Sequence, residues 1–360
     1  MSVHEILIVI MAVFAALGAL DRIIGNHFGL GKPFEEGILA MGTLAMAMLG
    51  IISLAPVLAK VLNPVVVPVY EFLGADPAMF AGTLLACDMG GAPLAMEMAA
   101  DPAAGLLGGV ICGSMLGVTI VFTIPVALGI LQAQDRPALA KGILAGIVTV
   151  PVGVLAGGLV AGFSLMMVLR NLVPIVLIGG LIVLGLVFAE KWMIKGFGIF
   201  GKGVVILITV GLGAAIVEEL TGWVLIPGMA PLSDGFETVG AIAIVLAGAF
   251  PLVHIVTKIL RKPLMKLGKG LGINEAAAGG LIATLANSIA TFERVKEMDG
   301  RGKVVNIAFA VSAAFVFGDH MGFTAGFAPA MLPAMIVGKL AGGVTAVAVA
   351  LLLTRKKASQ

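Results

Sequence analysis

The sequence is dominated by apolar stretches of about 20 residues, the length that an α-helix needs to cross a bilayer. Short charged connections separate them, and the chain is only 12% charged and 60% hydrophobic, whereas soluble domains are about 25% charged. Because the stretches lack the short alternating pattern of a β-barrel, they predict an all-α polytopic membrane protein. Nine full spans are predicted, at 5–22, 37–60, 103–130, 138–161, 165–188, 199–218, 238–260, 304–325 and 331–353.

Two further segments, 63–100 and 262–298, differ from these spans. The first contains Asn63-Pro64, Pro68, Asp76-Pro77, Gly90-Gly91 and Pro93, and the second contains Pro263, several glycines and a polar run around Asn287. Clusters of Pro and Gly interrupt helices, and irregular backbone at membrane depth is tolerated where protein buries it. The sequence therefore predicts two broken or re-entrant segments.

The distribution of Lys and Arg predicts the orientation, because short cytoplasmic loops carry an excess of positive charge. Basic residues flank the segment 262–298, which is expected to enter and leave from the cytoplasmic side. No Lys or Arg occurs between Lys60 and Arg136, so the segment 63–100 is expected to enter from outside. The C-terminal Arg355, Lys356 and Lys357 are expected to be cytoplasmic.

Two broken segments on opposite faces are what an inverted-topology repeat would produce. Residues Gly142, Leu144, Ala145, Gly146, Val148 and Thr149 recur in order as Gly338, Leu340, Ala341, Gly342, Val344 and Thr345. This similarity and the charge pattern predict a first repeat at 1–161, a linking span at 162–190 and a second, inverted repeat at 191–360.

Asp88 is the clearest candidate for a functional residue. An ionisable side chain inside a membrane span costs about 3 kcal/mol even on lenient scales, and Asp88 lies in the middle of the first broken segment, within Cys87-Asp88-Met89-Gly90-Gly91. A functional role would be a counter-charge for a cation or a proton site. A structural role would be to cap a broken helix or to form a structural pair. The glycines that open the backbone favour the functional role.

A polar run lies in the second broken segment. Thr284, Asn287, Ser288 and Thr291 have the spacing of one helix face. They are expected either to contact a substrate or to form hydrogen bonds between helices. Asn287 lies within a residue of the position that corresponds to Asp88 across the repeat.

Asp319 and His320 lie deep in the predicted span 304–325, with Ser312 on the same face as Asp319. An Asp beside a His suits proton binding near neutral pH. Alternatively, Lys339 in the next span could neutralise Asp319 in a structural pair, which would leave Asp88 free to meet a substrate cation.

Several function classes lack support in the sequence. No metal-ligand motif, Cys-x-x-Cys or phosphate-binding glycine pattern occurs, so no cofactor, metal or cofactor-dependent enzyme activity is expected. The net charge of +2 gives no reason to expect nucleic acid as a partner. Cys87 and Cys112 are expected to be small buried packing residues.

The chain resembles the ethanolamine utilization permease family. The likeness covers nearly the whole chain and includes the Cys87-Asp88-Met89-Gly90-Gly91 and Gly318-Asp319-His320 motifs. The family is bacterial, so the resemblance implies an inner (cytoplasmic) membrane transporter of ethanolamine. The resemblance does not assign the site.

Ethanolamine at neutral pH is a small ammonium with one hydroxyl. Its site needs a carboxylate, an aromatic face for the cation and hydrogen-bonding partners for the hydroxyl. Candidate substrate contacts are Asp88, Thr83, Phe122, Thr284, Asn287, Ser288, Asp319 and His320, with Phe80 as a second aromatic candidate.

The expected mechanism is alternating access, either facilitated or proton-coupled. Two alternatives remain open from the residues. Asp88 and Asp319 could form an intramembrane aspartyl protease dyad, although their local sequences do not match those enzymes. A passive channel for small amines would require rings of like residues in an oligomer, and a homo-oligomer is compatible with the sequence.

Overall fold

The computed structural model describes residues 2–355 and confirms an all-α polytopic fold, since no strand occurs among these residues. The helices are α1 Val3–Ile23, α2 Gly31–Phe72, α3 Ala78–Leu84, α4 Ala92–Met98, α5 Pro102–Ile130, α6 Arg136–Val160, α7 Leu165–Phe188, α8 Glu190–Thr221, α9 Leu232–Leu271, α10 Glu275–Ala286, α11 Ser288–Glu293, α12 Gly300–Ala313, α13 Asp319–Phe327 and α14 Leu332–Leu353. The predicted cytoplasmic Lys356 and Lys357 lie outside the described residues.

Eight of these helices, in the part of the chain that is described, are long and apolar enough to cross a membrane. The expected ninth span, 304–325, is interrupted between α12 and α13. Phe315 adopts a left-handed backbone there, with a φ of 63°. The amides of Phe315 and Phe317 donate to the carbonyls of Thr284 and Leu285 at 3.1 and 2.9 Å. The α12–α13 break is therefore tolerated because the end of α10 satisfies its backbone groups.

The first broken segment begins later than predicted, because residues 63–72 continue α2 despite Pro64 and Pro68. The interruption itself lies between α3 and α4. At the base of this pair, the Asp76 carboxylate accepts hydrogen bonds from the amides of Ala78 and Asp101, both at 2.9 Å. Since one side chain ties both ends together, α3 and α4 form a hairpin that begins and ends at the same level, here called hairpin 1.

The second broken segment forms a similar hairpin from α10 and α11, here called hairpin 2. Residues 262–271, expected to belong to it, instead continue α9. Asn274 holds its base: the backbone amide donates to the Asp299 carboxylate and the side-chain amide donates to the Glu297 carbonyl, both at 2.9 Å. Both broken segments are thus closed at the base by a polar side chain.

The order of elements from α1 to α6 recurs from α8 to α14. In each half, two long helices precede a hairpin, and the hairpin precedes two further membrane elements. α1 packs against α9, and correspondingly α8 packs against α2. α7 lies between these two series of elements.

Candidate functional site

An irregular turn between α3 and α4 positions Asp88. α3 ends at Leu84, the chain becomes extended, and Cys87–Gly91 forms one π-helical turn whose Gly90 has a φ of 94°. The Gly91 amide donates to the Ala86 carbonyl at 2.8 Å and closes the turn. This turn directs the Asp88 side chain towards α13 instead of along a regular helix face.

Gly90 is required by this turn, so Gly90→Ala is expected to destabilise the protein by about 1–2 kcal/mol, the cost of a left-handed alanine. An added Cβ would also press on the Ile51 side chain. The measurement is the thermal unfolding midpoint of the purified protein in detergent. Gly42→Ala in α2 is the matched control, because an added Cβ there meets no other atom. Equal midpoints for the two variants would contradict this role of Gly90.

Asp88, in the turn of hairpin 1, lies close to His320, which follows the α12–α13 break. The His320 Nε2 atom lies 3.8 Å from Asp88 Oδ1, and the side chains are 1% and 17% exposed. The second ring nitrogen of His320, Nδ1, is buried and has no hydrogen-bond partner within residues 2–355. His320 and Asp319 are the first residues of α13, so the α12–α13 break places both of them beside Asp88.

Asp88, Asp319 and His320 line one cavity of about 200 Å³, here called the carboxylate cavity. Its other walls are mostly apolar and come from α2, α5, the Cys87–Gly91 turn and the α12–α13 break. These wall residues are Thr43, Leu44, Ala47, Met89, Val118, Phe122 and Phe315. A small amphipathic cation would find both anionic and apolar surface here.

Two phenylalanines and the histidine form an aromatic wall of the carboxylate cavity. Phe122 and Phe315 pack edge to face with ring centroids 5.6 Å apart, and Phe315 lies 5.3 Å from the His320 ring. Aromatic faces attract cations. Phe80 instead packs against Tyr70 at 6.3 Å and does not line this cavity.

Lys339 is the buried cation nearest to this region in the described structure. It is 0% exposed, and its ammonium donates a hydrogen bond to the Ser114 carbonyl. It lies close enough to Asp88 to act on it electrostatically, as Asp319 also does. The alternative in which Lys339 pairs with Asp319 is not observed: among the described residues, no ion pair joins the two side chains.

The polar residues of hairpin 2 do not share one helix face, because α10 ends at Ala286 and Asn287 is extended. Asn287 caps α11 by accepting from the Ile289 amide at 2.8 Å. It lines a separate cavity of about 600 Å³ together with Arg261, Glu275 and Arg294. The structure therefore does not bring Asn287 to the carboxylate cavity.

The remaining candidates make internal contacts. The hydroxyls of Thr284 and Thr291 lie 2.8 Å apart across the hairpin 2 break, and Thr83 donates to the Phe80 carbonyl at 2.8 Å. Ser288 is buried, and its hydroxyl has no partner among the described residues. None of these hydroxyls lines the carboxylate cavity.

Ser312 does not share a face with Asp319, because the α12–α13 break separates them. Its hydroxyl lies 2.7 Å from the position that a Cβ on Gly342 would occupy. It is therefore a contact between α12 and α14 and does not belong to the cavity.

The structure adds residues that the sequence did not single out. Phe315 lines the carboxylate cavity, as do Thr43 and Ala47 of α2. Cys87 also lies beside Asp88 and His320, and ligand atoms of these three residues lie within 4.8 Å of one another. Their common location depends on the two breaks, so no local motif could reveal it.

Comparison with known proteins decides the family. The profile of the family described as "Ethanolamine utilisation protein, EutH" matches residues 3–353. The chain belongs to this EutH family. The resemblance inferred from the sequence is thereby confirmed.

Relatives of known name agree with the EutH assignment. A "Probable ethanolamine permease EutH" of Listeria monocytogenes is 63% identical over 356 residues, which cover 99% of this chain and 95% of the relative. One of Salmonella typhimurium is 50% identical over 394 residues, covering 99% and 97%. An "Uncharacterized protein YxeR" of Bacillus subtilis is 51% identical over 354 residues, covering 98% and 96%. No solved structure matches.

Proposed function

We propose that this EutH-family protein is a carrier that binds protonated ethanolamine in the carboxylate cavity and releases it on the other side of the membrane. The relatives' names support a permease for ethanolamine. The observation that carries the proposal is the meeting of Asp88 and Asp319 in one small, mostly apolar cavity. Carboxylates at membrane depth are characteristic of substrate and ion pathways.

The chemistry of the cavity suits each part of the substrate. The ammonium would lie between the two carboxylates, against the faces of Phe122 and Phe315. The hydroxyl would form a hydrogen bond with the His320 ring. The hydroxyl would be the donor or the acceptor according to which ring nitrogen carries the proton. The apolar walls exclude water, which strengthens these interactions.

The charged side chains in and near the carboxylate cavity also suit a substrate with a single positive charge. Asp88 and Asp319 contribute two negative charges when both are ionised, and Lys339 would offset one of them when its amine is protonated. One ethanolamine ammonium would bring this group to neutrality. Because a net charge in a low-dielectric interior is unfavourable, the arrangement favours monovalent cations over neutral or divalent ligands.

Alternating access is supported by the placement of the two hairpins. Each hairpin is tied at its base, and five spanning helices, α5 to α9, separate them along the chain. If all five cross the membrane, this odd number of crossings would put the two hairpin bases on opposite sides. We propose that the halves are the inverted repeats 1–161 and 191–360, with α7 as the link and the C-terminus in the cytoplasm.

The test is uptake of labelled ethanolamine by proteoliposomes compared with protein-free liposomes, over a range of external pH. The uncharged amine crosses lipid unaided and the ammonium does not. The ratio of protein-mediated to protein-free uptake is therefore expected to rise as the pH falls, and the protein-mediated part is expected to saturate. Uptake that is equal with and without protein at acidic pH would contradict the proposal. Uptake that never saturates would indicate a channel.

A further inference from the structure

The turn of hairpin 1 and the α12–α13 break bring three metal-binding side chains close together. Cys87 and Asp88 come from the π-helical turn of hairpin 1, and His320 comes from α13. One ligand atom from each of them lies within 4.8 Å of the other two. Adjacent residues in a regular helix point in different directions, so the irregular turn is what lets Cys87 and Asp88 approach the same ring.

We propose that Cys87, Asp88 and His320 form a binding site for Zn²⁺, and that Zn²⁺ bound there inhibits transport. Zinc prefers thiolate, imidazole and carboxylate ligands in a tetrahedron, with bonds of about 2.0–2.3 Å, which places ligand atoms about 3.3–3.8 Å apart. Asp88 and His320 already lie 3.8 Å apart. Moving the Cys87 sulfur by about 1 Å would complete three ligands, and the fourth position would face the carboxylate cavity.

The donor set distinguishes zinc from the common hard cations. Mg²⁺ and Ca²⁺ require about six or more oxygen ligands, whereas this cluster offers one sulfur, one nitrogen and one carboxylate. Thiolate and imidazole favour Zn²⁺ and other borderline-soft metals. Mg²⁺ is thus the appropriate negative control.

The charges of the region are compatible with this ligand. A protonated Lys339 would oppose a dication at this site, whereas an ionised Asp319 would favour it. A thiol that binds zinc loses its proton, which is released to bulk solvent as the zinc–sulfur bond forms. Zn²⁺ binding with loss of one proton adds one net positive charge, the same change as binding one ammonium.

Competition with substrate follows from this geometry. The inference rests on the proposed function for Asp88 and His320, which would serve as zinc ligands and would also contact the ammonium and the hydroxyl of the substrate. Zn²⁺ is therefore expected to raise the apparent KM for ethanolamine without lowering the maximal rate. Removing one of three zinc ligands is expected to raise the half-inhibitory Zn²⁺ concentration at least about tenfold.

The experiment uses Co²⁺ as a spectroscopic probe of the purified full-length protein, so it does not depend on transport. A thiolate–Co²⁺ charge-transfer band in the near ultraviolet is expected for the unchanged protein. It is expected to be absent in Cys87→Ala and present in Cys112→Ala, the matched control, since Cys112 is equally buried but is not in the cluster. His320→Gln is a second variant that removes a ligand and is expected to weaken the band.

Inhibition of uptake in proteoliposomes then tests the consequence. Cys87 does not line the carboxylate cavity, so Cys87→Ala is expected to transport ethanolamine while resisting Zn²⁺. Mg²⁺ is expected to have no effect. A missing Co²⁺ band in the unchanged protein, or a band that persists in both Cys87→Ala and His320→Gln, would overturn the site. Equal inhibition of Cys87→Ala and Cys112→Ala by Zn²⁺ would overturn the inhibitory role.

Discussion

Replacing Asp88 with Asn is expected to reduce ethanolamine uptake by about a hundredfold. The substitution keeps the shape of the side chain and removes its charge. A hydrogen bond to a charged group contributes up to about 3 kcal/mol, which corresponds to about a hundredfold in affinity. The measurement is the initial rate of labelled ethanolamine uptake by proteoliposomes at concentrations well below saturation, where affinity determines the rate.

The controls for Asp88→Asn distinguish an effect on the cavity from the effect of removing any surface carboxylate and from a loss of stability. Asp234→Asn makes the same chemical change at an exposed position near the start of α9 and is expected to leave uptake unchanged. Asp319→Asn removes the other carboxylate of the cavity and is also expected to reduce uptake. If Asp88→Asn transports at the normal rate and shows a normal unfolding midpoint, Asp88 is not the counter-charge of the substrate.

Replacing Lys339 with Met is expected to change the charge that the cavity accepts. Met retains the length and apolar stem of Lys but removes the ammonium that offsets one carboxylate. The region around Asp88 and Asp319 would then favour two positive charges instead of one. A small diamine such as ethylenediamine, doubly protonated at mildly acidic pH, is expected to compete with ethanolamine at least about tenfold better than in the unchanged protein, a change of about 1.4 kcal/mol.

Competition by the diamine against labelled ethanolamine is measured in proteoliposomes for both proteins. Lys141→Met is the matched control, because Lys141 is an exposed residue of α6 outside the cavity. It is expected to leave competition by the diamine unchanged. If the Lys339→Met protein takes up ethanolamine but the diamine competes no better than in the unchanged protein, Lys339 does not determine the charge of the substrate.

Much of the fold was predictable because apolar length and helix-breaking residues are local properties. The eight uninterrupted spans and both hairpins follow from them. The break between α12 and α13 was not predictable in this way. Its stability depends on hydrogen bonds from the Phe315 and Phe317 amides to the carbonyls of Thr284 and Leu285. These carbonyls lie about 30 residues earlier in the sequence.

The candidate site, like the fold, contains residues that local sequence could predict and residues that only distant contacts bring together. Asp88 could be singled out because a lone carboxylate in an apolar segment needs an explanation. The repeat suggested Asn287 as the counterpart of Asp88 and as a further substrate contact, but Asn287 lines another cavity, with Arg261 and Arg294. His320 lies beside Asp88 only because two irregular turns meet in space, and helical periodicity carries no information about such turns.

The carboxylate cavity is assembled from both halves of the chain, with Asp88 on hairpin 1 and Asp319 on α13. A cargo that contacts both carboxylates must restrain their separation, so part of its binding energy would act on the conformation of the protein. A cation that is too short to reach both would occupy the cavity without drawing its walls together. One that is too bulky would hold the walls apart. The length of the cargo would then be selected by whether it permits closure, as well as by how tightly it binds.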